Sequence, residues 1–134
     1  MFADLGVFVL RLAVGAVFLA HGAQKAFGAF GGPGLAGTAG FLGSLGLRPA
    51  RLWAVVAAGG ELLAGALFVT GLLTPLAALL AVATMGVAIA KVHGPKGFFI
   101  QNGGYEYNVV LAVAAVAVAT IGPGAWSLDR LLGL

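Results

Sequence analysis

The chain contains no cysteine. That removes thiol–disulfide chemistry, thiolate metal sites and iron–sulfur ligation from its range of functions. Charge is almost as scarce. Seven basic and four acidic residues make up 8% of the 134 positions, where a soluble domain carries about a quarter. So few charges cannot cover the surface of a soluble globule, and at 61% hydrophobic the chain is too apolar for disorder. The basic excess is a scatter of single residues without a stripe, which excludes a nucleic-acid partner. The start, Met1-Phe2-Ala3-Asp4, lacks a basic n-region and runs into a long apolar stretch, so a cleaved signal peptide is not expected. Neither a dinucleotide fingerprint nor a phosphate loop with its Lys-Ser/Thr occurs.

What is present is apolar length. A bilayer core needs about 20 helical residues to cross. Four stretches qualify as predicted spans: about 2–27, 49–70, 75–92 and 105–121. Pro49 suits the first turn of the second, and Thr74-Pro75 reads as N-cap and first position of the third. Gly122-Pro123-Gly124 stops the fourth, and Ser127 is placed to cap a short tail helix. Only Gly71 to Thr74 separates spans two and three, which forces an antiparallel hairpin. Between spans one and two, Gly28 to Leu47 is uncharged and glycine-rich. Its Pro33–Gly46 core would be about 21 Å long as a helix, too short to cross, so it reads as an interfacial or re-entrant helix. The expected fold is therefore an all-α membrane protein, one domain over 1–134, built as a four-helix bundle with that short helix inserted. Many of the 23 glycines fall where helices can approach closely. They permit packing within one chain or in a homo-oligomer.

Lys25, Arg48, Arg51, Lys91 and Lys96 flank the two longer loops, whereas the other side holds Asp4, Asp129 and Arg130. The positive-inside rule then places those loops in the cytoplasm and both termini outside. An echo between His21-Gly22-Ala23-Gln24-Lys25 and His93-Gly94-Pro95-Lys96 hints at a parallel repeat. Spans two and four show no matching echo, which favours coincidence.

Ionisable groups inside a span are costly and face the bundle interior. Arg11 lies about 21 Å from Lys25 along the first span, and Glu61 about 18 Å from Pro49 along the second. Taking Lys25 and Pro49 as level, the spacing predicts a buried Arg11–Glu61 ion pair, the carboxylate accepting the guanidinium fork. That pair reads either as a register device or as a functional centre. His21, Lys25, Tyr105 and Glu106 are expected to share a polar pocket at the cytoplasmic mouth. Lys91, Lys96 and Tyr107 read as snorkelling or interfacial groups. His21 and His93 raise a haem or metal-ion site, but both sit at helix ends beside glycine and lysine, and no metal site is expected.

These residues, taken in order, resemble the DoxX family of small four-helix bacterial membrane proteins. The resemblance runs over nearly the whole chain. It rests on Arg11-Leu12 with Gly15, His21-Gly22 with Lys25, Gly46-Leu47, Glu61, Gly71-Leu72 with Thr74, and Gly122-Pro123-Gly124 followed by Ser127-Leu128-Asp129. It implies an integral protein of the bacterial plasma membrane. Some relatives are small subunits of a thiosulfate:quinone oxidoreductase, others belong to complexes answering oxidative and thiol stress, and distant ones are chaperones or cargo receptors. Three functional readings follow. The first is a membrane subunit of a quinone-linked or thiol/oxidative-stress redox system, with quinone as the ligand and a soluble or membrane redox subunit as partner. The second is a non-enzymatic anchor or assembly factor. The third is a small-molecule transporter. The residues do not decide whether the chain is itself an enzyme.

Overall fold

The computed structural model describes residues 1–134 and is all helical. Its elements are α1 (Phe2–Phe27), α2 (Gly34–Ser44), α3 (Ala50–Thr70), α4 (Thr74–Ala88), α5 (Glu106–Ile121) and α6 (Leu128–Leu132). Three helical stretches are long and apolar enough to cross a membrane: Phe2–Phe27, Ala50–Thr70 and Thr74–Lys96, the last including tighter and wider turns beyond α4. The fourth, α5, is apolar but has 16 residues, about 24 Å of helix. Many large apolar side chains point outward, among them Leu79, Val110, Val113 and Ile121. That is the expected surface of a helix in lipid, where no water penalises it.

The four long helices form a ring. α1 packs chiefly on α3, α3 on α4 and α4 on α5, while α5 and α1 meet more loosely. The α1–α3 seam is made by glycine. A Cβ on Gly15 would collide with Val69, one on Gly22 with Leu62 and one on Gly65 with Leu19. Small residues let the two backbones approach, and dispersion then replaces the hydrophobic drive that lipid does not supply. The core beneath is Val14, Phe18, Phe68, Met85, Leu111, Ala115 and Val118, with small alanines of α4 filling the centre. Phe18 and Phe68 stack across it with centroids 6.5 Å apart.

The α1–α3 register corrects the expected Arg11–Glu61 pair. With Gly22 facing Leu62 and Gly15 facing Val69, Arg11 stands level with the α3–α4 turn and Glu61 level with the last turn of α1. Lys25 and Pro49 are therefore not level. α3 begins well beyond the end of α1, in the space that α2 occupies when it packs on both helices. Thr38 docks α2 there, its hydroxyl donating to the Gly34 carbonyl at 2.8 Å and the Lys25 carbonyl at 3.3 Å.

The start of α4 also differs from the sequence reading. Thr74 lies within the first turn, and the capping oxygen comes from elsewhere in the chain. Asp129 accepts from the backbone N–H of Leu73 at 2.6 Å, the N–H of Thr74 at 2.9 Å and the Thr74 hydroxyl at 2.7 Å. A remote carboxylate thus does what Thr74 was expected to do alone.

Candidate functional site: a polar cavity between four helices

The two ends of the ring are built differently. At the end carrying both termini, Arg11 is fully buried. Its Nη2 donates to the Trp126 carbonyl at 2.7 Å, and its guanidinium lies 5.6 Å from the centroid of the Phe8 ring. Trp126 meets Phe8 edge-on at 5.2 Å. The tail returns over this end because α5 stops at Gly122-Pro123-Gly124. Ala125 N–H donates to Asp4 at 2.9 Å, and Asp129 N–H donates to the Gly71 carbonyl at 2.9 Å. Ser127 caps α6 by accepting from Arg130 N–H at 3.2 Å, as the sequence suggested. Gly71 closes α3 in the left-handed region at φ 67°, and a Cβ there would overlap the Arg11 guanidinium. Glycine is required on both counts. Burial pushes the Asp129 carboxyl upward, but the hydrogen bonds from Thr74 and Leu73 and the charge of Arg11 outweigh it. They hold the group below the usual carboxylate range.

At the other end the ring encloses a cavity of about 300 Å³. α1 contributes Val17, Phe18, His21 and Lys25, α3 contributes Glu61, and α5 contributes Tyr107, Asn108 and Leu111. Met85, Ala88 and His93 complete it from α4 and its extension. Lys25 Nζ donates to both oxygens of Glu61, at 3.0 and 2.9 Å. The Glu61 side chain is 4% exposed and that of Lys25 30%, so the pair forms one wall of the cavity with the carboxylate innermost. Phe18, Met85 and Leu111 supply the apolar floor.

Two devices place the histidines. His21 Nδ1 lies 3.0 Å from the Val17 carbonyl, and its ring sits 5.8 Å from that of Tyr107 across the loose α1–α5 seam. His93 depends on a local change of helix. Beyond Ala88 the chain widens to π geometry over Ile89–His93. In a regular helix Val92 would follow Met85 and Ala88 on the inner face. The wider turn puts His93 there instead, an arrangement that recurs at functional sites. His93 Nδ1 then lies 2.7 Å from the Gly103 carbonyl.

The mouth predicted from sequence is thus divided. His21 and Lys25 line the cavity; Tyr105 and Glu106 do not. Tyr105 packs edge-on against Phe98 at 5.5 Å, and Glu106 accepts from Ile100 N–H at 3.1 Å, tying down the loop before α5. The inner face of α5 begins one turn later, with Tyr107 and Asn108. His93, Tyr107 and Asn108 are expected from sequence near this same mouth but outside the shared pocket, Glu61 is expected beside Arg11, and Met85 is not singled out; the structure puts all five in the cavity lining. The helical spacing of Asn108, Leu111, Ala115 and Val118 was the available signal for α5. Nothing in the sequence announces the π turn. No cluster of three or more histidine and carboxylate side chains suited to a metal ion forms in the structure.

The sequence model of the DoxX family matches residues 6–94, from the first turns of α1 to the end of the π turn. The chain belongs to the DoxX family. A DoxX-type chain is a membrane protein, in keeping with the three crossing-length helices. An uncharacterised protein of Haemophilus influenzae is 33% identical over 86 residues, which cover 64% of this chain and 57% of that relative. The match therefore spans little more than half the relative's length. No solved structure is similar enough to be matched. The family match includes every cavity residue of α1, α3 and α4 but ends before α5, so Tyr107, Asn108 and Leu111 lie outside it.

Proposed function

We propose that this DoxX protein is a membrane subunit of a quinone-linked oxidoreductase system and that the cavity between α1, α3, α4 and α5 holds a quinone head group. One observation carries the reading. A cavity of about 300 Å³ joins an apolar floor to a ring of hydrogen-bonding groups, within a bundle whose outside is lipid-facing. That volume is at the low end of ligand pockets, about 300–1,000 Å³. It suits one substituted ring with its tail directed outward. The α1–α5 seam, framed by His21 and Tyr107, offers the tail a way into the bilayer. Lys25 and Glu61 supply charge and proton-exchanging capacity beside the ring. The reading includes a partner redox subunit that exchanges electrons with the quinone.

In this account all four long helices cross the bacterial plasma membrane as one domain, with α2 lying at the interface. Arg48, Arg51, Lys91 and Lys96 put the cavity end in the cytoplasm and the sealed end outside. The test is equilibrium binding of a short-chain benzoquinone to the purified protein in lipid nanodiscs. Saturable binding that Phe18→Trp blocks by filling the floor supports the reading. Binding that scales only with lipid content contradicts it and leaves the anchor or assembly role.

A further inference from the structure

The hydrogen-bonding inventory of the cavity is lopsided. A carbonyl oxygen only accepts, so the contacts of His21 with Val17 and of His93 with Gly103 require the proton on Nδ1 in each ring. In the neutral imidazole that leaves Nε2 as a bare acceptor. Asn108 is 5% exposed, and its amide nitrogen lies 3.5 Å from the Met85 sulfur, a weak acceptor. Its Oδ1 is buried without any partner. An unpaired buried carbonyl is costly, and it is a ready-made contact for a ligand hydroxyl. On the donor side, Lys25 spends two of its three ammonium N–H groups on the oxygens of Glu61, and the second amide N–H of Asn108 is the other free donor beside the third. The Tyr107 hydroxyl can give or take a hydrogen bond and does not tip the count. Asn108 Oδ1, the two histidine Nε2 atoms and the remaining lone pairs of Glu61 thus outnumber the free donors of the cavity.

From this we infer that the site is built for the hydroxyl form of its ligand: it selects a hydroquinone over the corresponding quinone. The inference rests on the quinone reading above and adds the redox state to it. A hydroquinone offers two O–H donors to Asn108 Oδ1 and the histidine Nε2 atoms. A quinone presents only carbonyl oxygens, which can take up the few free donors but leave those acceptors unpaired. Tighter binding of the reduced form also makes the bound couple more oxidising, by about 30 mV for each tenfold preference in a two-electron couple.

The experiment compares a short-chain benzoquinol, kept reduced under anaerobic conditions, with the matched benzoquinone. Both are titrated onto the full chain in nanodiscs at about pH 8, where free imidazole is neutral. The expected result is quinol binding at least tenfold tighter. Asn108→Leu should weaken the quinol alone and bring the two affinities together. Leucine removes the unpaired carbonyl without adding a charge, and a thermal melt of the variant checks its fold. His93→Phe provides a second route to the same loss if the first variant does not fold. Equal affinities, or tighter binding of the quinone, overturn the inference while leaving the quinone reading in place. A preference that survives in both variants overturns it as well, because its source would lie elsewhere. If neither form binds, the quinone reading itself fails and this inference falls with it.

Discussion

The two ends of this bundle solve the same problem in opposite ways. Each buries an ionisable side chain from a helix expected to cross a membrane, Arg11 at one end and Glu61 at the other. Around Arg11 the chain closes. The tail supplies a carbonyl from Trp126 and the charge of Asp129, and the Phe8 ring, edge-on to Trp126, lies 5.6 Å from the guanidinium. Around Glu61 the chain stays open. A single lysine answers the carboxylate, and the space beside them is left as a cavity ringed by histidine, tyrosine and asparagine. A buried charge is therefore not by itself the mark of a ligand site. The difference lies in the space beside the charge: Glu61 lines a cavity together with the unpartnered Asn108, and Arg11 does not line it. Arg11 also has unpaired nitrogens, Nε and Nη1, but it lines neither that cavity nor the pocket of about 270 Å³ that Asp4, Pro123 and Arg130 line at its own end.

If that contrast is right, the sealed end should be the more fragile. Asp129→Ala strips three hydrogen bonds from the start of α4 and leaves Arg11 without its countercharge. A loss of about 3 kcal/mol is expected, read from thermal unfolding in mild detergent. An unchanged melting curve would mean that the tail merely rests on the bundle. Gly71→Ala comes next, at about 2 kcal/mol, because the new methyl meets the guanidinium in a left-handed backbone.

At the open end the expected losses are smaller and can be repaired. Lys25→Met leaves Glu61 unanswered and should cost about 1–2 kcal/mol, since Lys25 is partly solvent-accessible and its charge partly screened. Combining it with Glu61→Leu should restore most of that loss while abolishing ligand binding, a non-additivity that a double-mutant cycle measures. A double variant as unstable as the single one would make the pair a packing element and not part of a site.

Acid gives the gentlest probe. The folded Asp129 carboxyl titrates below its unfolded value. Its contribution is therefore fully present above about pH 5 and is lost as pH falls through the folded value. Melting temperature should drop over that acid range in the parent chain, and much less so in Asp129→Asn.

The helices were legible in the sequence because apolar length, Pro49 and the Gly122-Pro123-Gly124 stop act locally. Helix α1 ends at Phe27 and α5 at Ile121, as that local reading expects. The pairing of charges was not legible in the same way. It depends on the stagger between α1 and α3, which is set by α2 wedged beyond the end of α1 and by glycine contacts far along the seam. Moving the partner of Glu61 from Lys25 to Arg11 takes a shift of 14 residues along α1, about 21 Å. Likewise Asp129 lies 55 residues from the Thr74 that it caps, so no local rule connects them. His93 was recognised as a polar residue at a helix end, but its inward direction comes from a π turn that no residue pattern marks.

Where a quinone sits in the bundle is the decisive question. The most direct measurement is photolabelling of the nanodisc-embedded chain with an azido-benzoquinone, followed by mapping of the adducts. Labels concentrated on α1 near His21 and on α5 near Tyr107, competed away by unlabelled short-chain quinone, are the predicted result. Adducts spread over the lipid-facing side chains, or gathered at the Arg11 end and indifferent to competitor, would contradict it.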